Sequence, residues 1–315
     1  MDVAIAFIIF IVAFVFLFKS ADFFVDGAVG LAYLLSLPRV VIGIVIVGFC
    51  TTLPEFAVSV QSAFLGHPEI ALGNAVGSVV ADDTFALALG ALLAPTILID
   101  KRVLKKFGIF LVSVAFFSYF LAFDAEVSRV EGLILASLLV FYYFYLIKTE
   151  RNSKVEEDGK GRRLSVKRIL ICFILGAAGV IVSSRLVIDS AIFIAAYFGV
   201  PEVVIGLTAI ALGTSLPETF TVVVSARKGY GDIAVGNILG ADVLNILWIL
   251  GISALVNPIK VAPSTIAFSY PWMLLVVSTM LILMRFKYRL TKWKGGILFT
   301  LYVIYLYQLI STFYL

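Results

Sequence analysis

The sequence predicts an all-α membrane protein whose ten transmembrane helices form two inverted five-helix repeats, with helices 2, 3, 7 and 8 broken around a central ion site. Three observations predict it: the composition, the spacing of apolar runs with their basic flanks, and an internal repeat at one constant offset. Hydrophobic residues make up 62% of the 315 and charged residues only 14%, with a mean hydropathy of +1.11. Soluble domains are about half apolar and about one-quarter charged. No soluble fold of this length has interior enough for so much apolar surface, so the bilayer has to serve as solvent.

A spanning helix needs about 20 mainly apolar residues. Ten such runs are present, at 3–35, 39–65, 69–99, 106–123, 129–147, 167–199, 202–226, 232–257, 264–284 and 293–313. Runs one and six exceed the need and are expected to tilt or project. With the N-terminus outside, 20 of the 24 Lys and Arg fall in inner loops, against Arg129 and Lys260 outside and Lys19 and Arg185 within runs. Cytoplasmic loops carry such an excess, so a multi-pass protein of the cell membrane with both termini outside is expected. Lys148–Arg168 is the one long polar stretch and is too short to fold alone. It reads as a cytoplasmic linker, 148–167, between a first five-helix unit, 1–147, and a second, 168–315.

Several classes are excluded. Cys50 and Cys172 form no CxxC pair, and His67, beside Gly66 and Pro68 in a polar turn, is the one histidine. Disulfide frameworks, zinc sites and a Ser-His-Asp triad are therefore not expected, and no cofactor is implied. The net charge of +4 follows from loop placement and implies no nucleic acid. Asp2 with no early Lys or Arg gives no basic leader of a signal peptide. Nothing sets an oligomeric state, and a monomer is compatible with the sequence.

The repeat is read directly. Val40-Val41-Ile42-Gly43 recurs as Val203-Val204-Ile205-Gly206, and Leu53-Pro54-Glu55 recurs as Leu216-Pro217-Glu218. Asp26, Pro38, Thr51, Gly73-Asn74 and Gly77 recur at the same shift of 163 residues as Asp189, Pro201, Thr214, Gly236-Asn237 and Gly240. Five spans per copy is odd, so the second copy enters the membrane from the opposite side. Inverted repeats of this kind place transported ions near the midplane on interrupted helices.

Those helices carry hard-cation chemistry. A proline inside a helix lacks an N–H and clashes with the carbonyl four residues back, so Pro54 and Pro217 are expected to free the carbonyls of Cys50 and Gly213. Glu55 and Glu218 follow at once, with Thr51 and Thr214 one turn earlier. Carbonyl, hydroxyl and carboxylate oxygens together suit Ca2+ or Na+ and not soft metals. Ser78 and Asp82 share a face of run three, with Ala241 and Asn245 as their copies. An ionised carboxylate at the bilayer centre costs at least about 2.5 kcal/mol, so it needs a partner or a task. Lys19 and Arg185 are the candidate partners, and pairing for structure alone is the competing reading. Asp83 and Asp242 sit to one side of the site-facing residues, Asp83 as a further candidate ligand. Asp22, Asp26 and Asp189 read as interfacial or gate-related. Cys50 reads as a filler, and Asn74 and Asn237 as bonded to broken backbone.

Gly48-Phe49-Cys50-Thr51-Thr52-Leu53-Pro54-Glu55 with Gly73-Asn74-Ala75-Val76-Gly77-Ser78, and Ala211-Leu212-Gly213-Thr214-Ser215-Leu216-Pro217-Glu218 with Gly236-Asn237-Ile238-Leu239-Gly240, resemble the two α-repeats of the sodium/calcium exchanger family, prokaryotic type, within the cation/calcium antiporter superfamily. The α-motifs span 43–85 and 206–248. The resemblance implies Ca2+ exchanged against Na+ at one cluster of sites. It implies Ca2+ ligands at Thr51, Glu55, Thr214 and Glu218, and Na+ ligands at Ser78 and the carbonyls of Gly48 and Ala211. It also implies that helices one and six slide to alternate access. Asp82 and Asn245 stand exchanged relative to the usual pattern, Ala241 replaces a serine, and Cys50 and Thr52 replace Gly and Ser. The partners implied are Ca2+, Na+ or H+, and the lipid bilayer. A Ca2+/H+ exchanger of the same fold is the nearest alternative, followed by another divalent cation/Na+ antiporter. An ion channel and an intramembrane aspartyl protease are more distant. Only the antiporter readings use the duplicated Thr-Pro-Glu set.

Overall fold

The computed structural model describes residues 3–150, 165–199 and 211–314. Residues 151–164 of the expected linker and 200–210, which begin the seventh expected span, lie outside the described residues. The fold is almost wholly helical. In chain order its helices are α1 (Val3–Leu35), α2 (Arg39–Thr51), α3 (Leu53–Phe64), α4 (Pro68–Leu93), α5 (Lys101–Leu121) and α6 (Arg129–Glu150). Then come α7 (Val166–Tyr197), α8 (Ala211–Thr214), α9 (Leu216–Arg227), α10 (Gly231–Val256), α11 (Thr265–Arg285) and α12 (Lys292–Tyr314). Among the described residues eight helices are long and apolar enough to cross a bilayer, or nine if α2 and α3, bent by 49° at Thr52, form one span. Phe16, Phe120, Phe141 and Leu175 stand exposed on these helices, as lipid-facing side chains must.

Two boundaries differ from expectation. The third span ends at Leu93, where Ala94 turns extended (φ −120°, ψ 170°) ahead of a short strand, β1 (Ile97–Leu98). The fourth begins at Lys101 and not at residue 106, because Asp100 caps it, accepting hydrogen bonds from the amides of Arg102 (2.6 Å) and Val103 (3.3 Å). Lysines counted as loop therefore ride on the first turns of α5, where long cationic side chains reach water while their stems stay apolar.

The expectation that helices 2, 3, 7 and 8 all break is corrected in part. The Pro54 helix breaks and bends at Thr52 as expected, and its Pro217 counterpart separates into α8 and α9 at Ser215. Helices α4 and α10 run through, each with one widened π turn, at Asp82–Ala86 and Leu244–Ile249. Neither turn contains proline, so no backbone donor is lost. A π turn absorbs the extra residue while keeping the ladder closed.

The 163-residue shift extends to backbone geometry. Thr52 (φ −80°, ψ 5°) matches Ser215 (φ −83°, ψ 8°), and His67 (φ −119°, ψ 57°) matches Tyr230 (φ −95°, ψ 60°). Gly66 and Gly229 share a left-handed φ, +92° and +84°. The two π turns begin at Asp82 and Leu244, within one residue of this shift.

Packing brings the two halves together through glycine. Helices α1 and α7 cross antiparallel, Gly27 against Phe173 and Gly176 against Phe24, so close that a Cβ on either would come within 2.5–2.6 Å of the opposing Cα. Helices α2 and α10 run parallel. A Cβ on Gly43 would stand 3.0 Å from the Gly236 Cα, and one on Gly236 would stand 2.6 Å from the Val40 carbonyl. An ion pair between Arg39 Nε and Asp232 Oδ2 (2.8 Å) closes one end of this contact. Two small antiparallel sheets join loops across the halves. Strand β1 pairs with β4 (Arg289–Leu290), and β2 (Glu126–Val127) with β3 (Ile259–Lys260), at opposite ends of α5. Lys294, 1% exposed, donates from Nζ to the carbonyls of Leu283, Phe286 and Arg289 (2.5–2.6 Å), satisfying the last turn of α11.

Gly236→Ala should separate α2 from α10, because the obstacle is the Val40 backbone. Overpacking of this kind costs about 1–3 kcal/mol. A clear fall in the melting temperature of the detergent-purified protein is expected, and an unchanged melting curve would show that the contact is slack.

Candidate ion-binding site

The site begins at the two helix breaks. Pro54 and Pro217 occupy the second positions of α3 and α9, where a missing N–H costs nothing, so each chain ends one helix and starts another. Glu55 and Glu218 thereby fall in first turns, facing the positive end of the helix dipole. The dipole favours the carboxylates without bonding them. The Gly48 carbonyl accepts from the Thr52 amide (3.0 Å) and the Thr52 hydroxyl (2.9 Å), with the Thr51 hydroxyl at 3.2 Å. This carbonyl, expected as an ion ligand, is thus engaged by local donors at the break.

Across the break the halves interlock. Thr214 lies beside Glu55, and Thr51 beside Glu218, so each glutamate has the threonine of the other repeat as its neighbour. Glu55 and Glu218 are electrostatic neighbours, Asp82 adjoins both, and Ser215 adjoins Asp82. Asp83, also in the widened turn of α4, faces Asp242 of α10. All five carboxylates are fully buried, and none of their oxygens has a hydrogen-bond partner among the described residues. The side chains of Ser78 and Asn245 are buried and unpartnered too. The Ala211 side chain lies outside the described residues, and its backbone opens α8.

No cation answers these charges among the described residues. Arg185 pairs with Asp189 on its own exposed helix face (3.7 Å), and Lys19 forms no ion pair. Lys228, just past α9, binds Asp22 (2.8 Å) and Asp26 (2.6 Å) of α1. Burial alone would lower the Lys228 ammonium, but Asp22 and Asp26 outweigh it and hold its pKa above the ordinary lysine value. This fits the expected interfacial reading of Asp22 and Asp26. Among the described residues no three Asp, Glu, His or Cys side chains converge on one point. A single ion here would draw on carboxylates in pairs, with hydroxyl and carbonyl oxygens completing its shell.

The asparagines divide. Asn74 Nδ2 donates to the Glu55 carbonyl (3.2 Å) and Ser59 Oγ (2.9 Å), as expected of a residue tying broken backbone. Asn237 instead accepts from the Thr51 hydroxyl (3.0 Å), across the repeats. The residue that repeats Ser59 is Val222, which offers no acceptor, and Asn237 Nδ2 has no partner among the described residues. Sequence reasoning missed the Thr51–Asn237 bond and the place of Ser215. The signal was the hydroxyl at both Thr52 and Ser215, set beside the threonines at the same shift.

A model of the family described as "Sodium/calcium exchanger protein" matches residues 5–148 and again 168–311, two stretches displaced by the same 163 residues. The chain belongs to the sodium/calcium exchanger family. It is 34% identical to the inner membrane protein YrbG of Escherichia coli over 84% of each chain. It is 29% identical to the sodium/calcium exchanger MaX1 of Methanosarcina acetivorans, over 96% of this chain and 98% of that one. Among solved structures it resembles the sodium-calcium exchanger NCX_Mj, soaked with Na+ and Sr2+, with a TM-score of 0.84 and 25% identity, covering 96% of this chain and 98% of that one. As a member of this family the protein is a membrane cation exchanger.

Asn74→Ala removes two hydrogen bonds that fix α4 to the first turn of α3. At about 1 kcal/mol each, unfolding in detergent should shift by about 2 kcal/mol, against less for Asn237→Ala, which loses one. Equal effects would show that Asn74 does not tether the break.

Proposed function

We propose that the protein is a secondary antiporter that exchanges cytoplasmic Ca2+ for Na+ by alternating access, through ten helices arranged as two inverted five-helix repeats. One observation carries this reading: the crossed Thr51–Glu218 and Thr214–Glu55 neighbours, buried and without a cation beside them among the described residues. Fixed negative charge and hydroxyl oxygen in a dry site call for a hard cation to complete them. The antiparallel crossing of α1 with α7 and the sheets at opposite ends of α5 support the inversion. The names of MaX1 and NCX_Mj, both sodium/calcium exchangers, support the ion pair.

The proposed ligands are Thr51, Glu55, Thr214 and Glu218 for Ca2+, with Ser78, Asp82 and Asn245 serving flanking Na+ positions and Asp83 a further one. The carbonyl of Ala211 belongs to this set. That of Gly48 joins only when the Thr51 and Thr52 hydroxyls turn away. The excess of basic residues in alternate loops supports a cytoplasmic 148–167 and both termini outside. Two or three carboxylates are neutralised either by one Ca2+ or by several Na+, so the two ions compete and only loaded states close.

The test is Ca2+ flux into vesicles under a Na+ gradient with no pH gradient. Glu55→Gln and Glu218→Gln should each abolish it, since truncating one member of a buried charge pair costs about 2–5 kcal/mol, more than tenfold in affinity. Flux that ignores Na+ and follows a pH gradient would assign Ca2+/H+ exchange instead. Native-like flux in both variants would refute the site.

A further inference from the structure

A cleft of about 710 Å3 opens between α5 and α11, away from the ion-binding site. Its volume is within the range of small-molecule sites, about 300–1,000 Å3. Ile109 and Val112 form one wall, Leu281 and Ile282 the other, and the helices meet where Leu281 packs against Gly108. At one end the lining changes character, to Lys101, Lys105, Arg285 and Tyr288.

Among the described residues no carboxylate answers these cations. Lys106, their neighbour, pairs with Glu150 (2.7 Å), and Asp100 is engaged in capping α5. Lys101, Lys105 and Arg285 form no ion pair with any described residue. The Tyr288 ring instead gathers two of them, with Arg285 Cζ 4.8 Å and Lys101 Nζ 5.9 Å from its centroid. Holding that ring in place requires an uncommon backbone. Lys287 and Tyr288 are consecutive non-glycine residues with left-handed φ, +61° and +47°. The β1–β4 pairing and the bond from the Ile99 amide to the Tyr288 carbonyl (3.0 Å) fix the turn. Strain of this kind persists where surrounding structure over-determines it, often at ligand clamps.

We infer that this cleft is a binding site for an anionic phospholipid, with its phosphate among Lys101, Lys105 and Arg285 and an acyl chain between α5 and α11. Charge complementarity selects the occupant. An apolar slot open to the bilayer takes a hydrocarbon chain, and three cations without an ion pair among the described residues take an anionic headgroup at its mouth. The orientation proposed above puts this headgroup in the cytoplasmic leaflet, but binding itself does not depend on the transport reading.

Native mass spectrometry of the detergent-purified protein, offered equal dioleoyl-phosphatidylglycerol and dioleoyl-phosphatidylcholine, tests it. Retention of phosphatidylglycerol should exceed that of phosphatidylcholine by at least roughly fivefold. A Lys101→Gln/Lys105→Gln/Arg285→Gln variant should fall to parity, and a Lys148→Gln/Lys167→Gln/Arg168→Gln control, with the same charge lost elsewhere, should keep the preference. Ser113→Trp, which fills the cleft from an exposed position and leaves every charge in place, should also lose the bound lipid. Equal retention of both lipids by the native protein, or an undiminished preference in the cleft variants, would overturn the proposal.

Discussion

Five carboxyl groups, buried between helices that cross a bilayer with no cation beside them among the described residues, constrain everything else in this molecule. Each ionised group at such depth costs at least about 2.5 kcal/mol, and their mutual repulsion adds to that. The helix dipoles at the first turns of α3 and α9 offset part of this cost for Glu55 and Glu218. The oxygens of all five have no hydrogen-bond partner among the described residues, and the proposed cation is what would satisfy them. Buried carboxylates of this kind stand in both copies, which is why the proposed function centres on them.

The rest of the architecture serves that constraint. Breaking at Thr52 and Ser215 creates helix ends at membrane depth, and the threonines beside them neighbour the glutamates of the opposite repeat. That crossing needs the two halves within backbone contact, which the Gly43–Gly236 approach provides. On the unbroken helices the widened turns begin at Asp82 and, two residues past Asp242, at Leu244. A different tie holds the long α1, where Asp22 and Asp26 meet Lys228. Its copy, Arg185 with Asp189, is satisfied on one exposed helix face. The molecule is therefore symmetric in backbone and asymmetric in charge.

Much of this was legible in the sequence because the repeat made it so. Proline beside glutamate at a fixed shift located the breaks and put Glu55 and Glu218 together, and the family match falls on the same shift. What the sequence could not carry was contact between elements that no local pattern links. Threonines were expected to accompany their own glutamates, four residues away on one face, yet the break at Thr52 turns that face toward the other half. The π turns had no proline to announce them. The missing hydroxyl at Val222 becomes informative only once Ser59 is seen bonded to Asn74. Helix ends failed where a single cap decided them, at Asp100, or where the chain left the helix for a two-residue strand, after Leu93.

The central claim is that one divalent ion sits between Glu55 and Glu218 with threonine oxygens from both repeats. Anomalous diffraction from crystals soaked in Sr2+ as a Ca2+ stand-in, with and without excess Na+, tests it most directly. The account predicts an anomalous peak within bonding distance of both glutamates that fades as Na+ rises. A peak elsewhere, or none at Glu55 and Glu218 in Na+-free crystals, would contradict it.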